Sequence, residues 1–104
     1  MSDEDLCRRL AAACGWEATG KWASIAEKIW VEHPTGLLVF GLDLNCISLC
    51  EAVVAERGLL DLYAIELQKV FLEKPAKTWI MSRCIVAPAR IRAEACLRVL
   101  EAGR

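Results

Sequence analysis

The stretch Lys28-Ile29-Trp30-Val31-Glu32-His33-Pro34-Thr35-Gly36-Leu37-Leu38-Val39-Phe40 decides whether this chain is all helical or mixed. Two periodicities compete in it. Trp22, Ile25, Ala26, Ile29 and Trp30 recur at helical spacing, whereas Lys28 to His33 alternates as a half-buried strand does. Proline and glycine lie two residues apart in His33-Pro34-Thr35-Gly36, which punctuates an element instead of continuing it. We therefore read a short strand over Lys28 to Glu32, a turn, and a second strand over Leu37 to Phe40 that pairs back. Trp16 and Trp22 fall in the loop that follows the first helix on this reading, and they are the two tryptophans expected to be partly exposed and available to an interface.

Outward from this hairpin the chain is helical. Ser2 is placed as an N-cap, Asp3, Glu4 and Asp5 put negative charge on a first turn, and Gly15 ends the run, so a helix is expected from Asp3 to Cys14. Asp43 or Asn45 caps the next helix, whose Cys46, Leu49, Cys50, Val53 and Val54 share a face while Ser48, Glu51, Ala55 and Glu56 form the other, until Gly58. A third helix runs from Leu60 to Glu73 with Leu60, Tyr63, Ala64, Leu67, Val70 and Phe71 inward, and the short link predicts a helical hairpin with the second. Thr78 to Val86, rich in β-branched and aromatic types between Pro75 and Pro88, reads as a further strand. Pro88 then opens a last helix with Ala89, Ala93, Cys96, Leu97 and Leu100 as its buried stripe. The expected fold is a single α+β domain over residues 1–104, with about four amphipathic helices packed on a small antiparallel sheet.

Composition narrows the function classes. With 56% apolar residues and a net charge of -1, the chain is neither a disordered polyelectrolyte nor a polycation made for phosphate backbones. No run approaches the ~20 apolar residues of a membrane span. The acidic N-terminus lacks the basic, then apolar, profile of a secretory signal, so the six cysteines are expected as reduced core thiols and not as a disulfide framework. Charge is uneven. Residues 1–72 carry 6 Lys or Arg against 11 Asp or Glu, and residues 73–104 carry 7 against 3.

No catalytic or metal constellation is expected. Cys46 and Cys50 lie one turn apart on a helix, but His33 is the only histidine and no C-x-x-C pair exists, so a zinc ligand set is incomplete. Cys84, beside Arg83, is the nearest thing to an activated thiol, but the preferred reading is a strand residue packed into the core. Gly36 to Gly41 lacks the lysine and hydroxyl of a phosphate loop, and no cofactor is implied. The basic C-terminal third supplies Arg83, Arg90, Arg92 and Arg98 as a candidate patch for nucleic acid or a small anionic ligand. That use requires the four arginines to converge on one exposed concave surface.

Three segments resemble small proteins of tailed phages and prophages grouped as the phage ABA sandwich domain: Asp5 to Ala11 ending at Gly15-Trp16, Leu42-Asp43-Leu44-Asn45-Cys46 followed by Glu51-Ala52, and Ala87 to Leu100. Where that family usually carries a His-Glu pair after its Asp-Leu-Asn segment, this chain has Ile47-Ser48. The resemblance implies helices packed on a small sheet and an accessory product of the bacterial host cytosol. The leading expectation is a non-enzymatic protein that binds a host or phage protein, with inhibition of a host defence system as one role. The alternatives are a binder or sponge of small anions or nucleic acid, and self-association into a homodimer through an apolar face.

Overall fold

The computed structural model describes residues 2–73 and 89–102, with the side chain of Phe71 outside the description. In chain order the elements are α1 (Asp3–Ala13), β1 (Glu17–Ala23), β2 (Lys28–His33), β3 (Gly36–Gly41), α2 (Leu44–Glu56), α3 (Leu60–Glu73) and α4 (Ala89–Ala102). The three strands form one antiparallel sheet in the order β1-β2-β3. The fold is α+β, with four helices and this meander among the described residues. The expected strand over Thr78 to Val86 lies outside them.

Local chemistry explains most element boundaries. The Ser2 hydroxyl accepts from Asp5 N–H at 3.2 Å at the start of α1, and Asp43 Oδ1 accepts from Cys46 N–H at 2.9 Å at the start of α2. Each satisfies a backbone donor that has no partner inside its helix. The β2-β3 turn closes with His33 opposite Gly36, and Gly36 adopts a φ of +124°, open to glycine and strained for any residue with a Cβ. His33 is fixed there as well, its Nδ1 accepting from Thr35 N–H at 3.2 Å.

Helix α4 is the centre of the helical layer. Ile91, Ala93, Ala95, Cys96, Leu97, Val99 and Leu100 are all buried, more of its circumference than one stripe would bury, because α1, α2 and α3 each pack against it. The sheet is laid against α1, and Ile29, Val31 and Phe40 point into the core beside Leu6 and Leu10. Each large side chain removed from water there contributes roughly 1.5–3 kcal/mol.

Three sequence expectations change. A strand, β1, occupies the segment read as a loop. Trp16 is buried at 7% exposure, edge-on to the His33 ring at 4.8 Å and to Phe40 at 6.2 Å between ring centres. It is a core anchor and not an interface residue, because Gly15 turns the chain back under the sheet. In α3, Leu60 and Ala64 are exposed while Tyr63 and Val70 are buried, since α3 leans chiefly on α4 instead of pairing closely with α2.

Candidate functional site

Pairing fixes which side chains share the sheet's outer face. Glu17 lies opposite Glu32, and Glu32 opposite Leu37; Thr19 opposite Trp30, and Trp30 opposite Val39; Ala23 opposite Lys28, and Lys28 opposite Gly41. Ile29, Val31 and Phe40 occupy the alternate positions and face the helices, so these three rows face away from them. Trp30, Leu37 and Val39 are 51%, 65% and 41% exposed and adjoin one another across β2 and β3. An indole with aliphatic neighbours on an open surface has the composition of an interaction hot spot.

The patch has an acidic rim. Glu17 and Glu32 are directly opposed across β1 and β2, and like charges so placed cost sheet stability. Both are exposed, and neither has an ion-pair partner among the described residues. At the other end, Lys28 Nζ sits 3.8 Å from Asp43 Oδ2. The outer edge of β3 is partly closed there: the Cys46 thiol donates to the Val39 carbonyl at 3.5 Å. Burial, the main influence, pushes the Cys46 thiol up. It therefore stays protonated and available to donate.

Arg90, Arg92 and Arg98, the described arginines of the basic third, do not converge. Arg90 pairs with Asp3 of α1 and, at 3.3 Å, with Glu94. Arg92 grips Glu51 of α2 with both ends of its guanidinium, Nε to Oε2 at 3.0 Å, and Tyr63 of α3 donates its hydroxyl to the same carboxylate. Arg98 reaches Glu73 of α3 at 2.5 and 3.1 Å and Glu66 at 3.8 Å. Each cation leaves α4 in a different direction and clips it to a different helix. The charge of Arg90, Arg92 and Arg98 is thus met within the fold, and these three do not form a shared anion-binding patch; Arg83 lies outside the described residues.

The remaining candidates place as follows. Trp22 is half-buried and packs against the core, while Trp30, which sequence reading did not single out, is the exposed indole. Strict alternation in β2, with Ile29 and Val31 inward, was the signal that marks it. Cys7, Cys14, Cys46, Cys50 and Cys96 are buried free thiols. Among the described residues no group of three His, Cys, Asp or Glu is placed to hold a metal ion, and no helix is long and apolar enough to cross a membrane. Among the clefts on the described surface, two lie beside charged side chains. One, of about 290 Å³, lies among Asp3, Glu27, Lys28, Asp43 and Arg90. The other, of about 400 Å³, lies between α1 and α4, with Leu6 and Leu97 among its lining residues and Arg9, Arg98 and glutamates beside them. In both, cations already face carboxylates.

Compared with known proteins, the chain matches no family model, no curated sequence and no solved structure.

Proposed function

We propose that this protein works by non-covalent binding to another protein through the outer face of its sheet. The observation that carries the reading is the Trp30–Leu37–Val39 patch bordered by Glu17 and Glu32, which have no ion-pair partner among the described residues. Its chemistry selects the partner: an apolar surface to cover the indole, flanked by lysine or arginine to answer two adjacent carboxylates. Two copies of this face brought together would set glutamates near glutamates unless offset, which favours a different protein as occupant. The resemblance to small tailed-phage proteins supplies the setting, a phage or prophage accessory product in the bacterial cytosol whose target is a host or phage protein, a defence component being one such target. No catalytic role is assigned to it.

The test compares wild type with Trp30→Ser and with Glu17→Lys/Glu32→Lys in quantitative affinity purification from host cells. The expected result is one partner lost from both variants and kept by Gln68→Ala on α3, with circular dichroism unchanged throughout. Retention of every partner by both surface variants would overturn the reading, as would light scattering that shows only a homodimer broken by Trp30→Ser.

A further inference from the structure

Helix α3 offers apolar side chains to solvent on the side turned away from α4. Tyr63 and Val70 are buried where α3 leans on α4. By helical geometry Ile65 and Leu72 point the opposite way, one heptad apart, with Leu62 beside them. Leu62 and Ile65 are each 50% exposed, and Leu72 is 73% exposed. Charge flanks this stripe at defined places. Asp61 lies one turn before Ile65 and Lys69 one turn after it, both exposed. Among the described residues Asp61 has no ion-pair partner, and Lys69 pairs with Glu66 of its own helix at 3.2 Å.

We infer that this face of α3 is the contact of a homodimer, in which α3 packs antiparallel on α3 of a second copy about a two-fold axis through Ile65. The charges choose the arrangement. Asp61 and Lys69 are equally spaced on either side of Ile65. The antiparallel two-fold therefore sets Asp61 against the partner's Lys69, and Lys69 against the partner's Asp61, whereas a parallel pair would set aspartate on aspartate and lysine on lysine. Helical side chains lean towards their own N-terminus, so Leu72 tilts towards the axis while the partner's Leu62 tilts away from it, and the two meet.

The contact uses the same patch on both copies, so it closes at two chains and does not propagate. One face of this 14-residue helix is about 21 Å long and buries less than the ~1,600 Å² of a standard interface. The dimer is accordingly weak, with a Kd on the order of 10 µM. Burial of Leu62, Ile65 and Leu72 drives association, and the exposed ion pairs fix its direction while adding little strength. The outer face of the sheet points away from the helices and stays open in each copy.

The test is sedimentation velocity on the full chain at low salt, from about 1 to about 300 µM. The expected result is a concentration-dependent equilibrium of monomer and dimer, weakened more than about tenfold by Ile65→Asp and by Leu72→Asp and unchanged by Trp30→Ser. Asp61→Lys alone weakens it about fivefold, and Asp61→Lys/Lys69→Asp restores it, a recovery that no loss of folding can imitate. A chain that stays monomeric throughout overturns the proposal. So does a dimer that survives both apolar changes, one that Trp30→Ser breaks, or a double charge change that leaves the single defect in place.

Discussion

Removing the Glu51 carboxylate should be among the most damaging single changes on the surface of α2. Glu51 and Arg92 are only 18% and 17% exposed at the side chain, and the carboxylate accepts from both Arg92 and Tyr63. Glu51→Ala strands a guanidinium and a phenol hydroxyl in the α2-α3-α4 interface. Breaking a buried pair from one side costs about 3–5 kcal/mol, and partial access of water places this site near the lower figure. For 104 residues the unfolding entropy is about 0.2 kcal/mol per kelvin, so ~3 kcal/mol lowers the melting temperature by about 14 °C. Glu51→Gln keeps oxygen acceptance but loses the charge, and should cost about 1–2 kcal/mol. Glu51→Leu/Arg92→Met removes both charges together and should be far milder than the sum of its single changes. Urea unfolding followed by far-ultraviolet circular dichroism measures all of these. A Glu51→Ala cost below ~1 kcal/mol, or a double variant as unstable as the two single changes added, would refute the reasoning.

Other consequences are as specific. Asp43→Ala removes the α2 cap and the Lys28 contact and should cost about 1–2 kcal/mol, nearly all restored by Asp43→Asn, since the cap needs an oxygen and the exposed ion pair adds little; thermal melts of the two variants separate these contributions. Gly41→Ala would set a Cβ 2.8 Å from Lys28 Cγ and 3.1 Å from the Glu27 carbonyl, so a loss of about 1–3 kcal/mol is expected in chemical unfolding, and a neutral result would mean that the hairpin end gives way freely. Alkali should destabilise the protein. Burial raises Cys7 and Cys96 from 9.0 to about 12, and burial with the Glu51 hydrogen bond pushes Tyr63 up as well. In that window the unfolded thiols ionise and the folded ones do not, so their contribution is whole below pH 9.0 and is lost as pH rises towards about 12. Urea midpoints that stay flat across this range would contradict the burial of these thiols.

Sequence alone determined the features whose causes are near neighbours. Ser2 and Asp43 cap helices because a side-chain oxygen three residues before a free N–H reaches it regardless of the rest of the fold. The His33-Pro34-Thr35-Gly36 turn, the extent of α1 and part of the apolar stripe of α4 were legible for the same reason. Tertiary structure decided what depends on distant partners. Glu17-Ala18-Thr19-Gly20-Lys21-Trp22-Ala23 has little strand character of its own and becomes β1 because β2 offers it an edge. Trp16, expected to be partly exposed, is buried and Trp30 is open, because burial follows the face on which a residue lands once the sheet lies on α1. Arg90, Arg92 and Arg98, eight residues apart at most in sequence, were separated by the three helices that surround α4. Their charge was spent inside the fold, and the open face was left to Trp30, Leu37 and Val39.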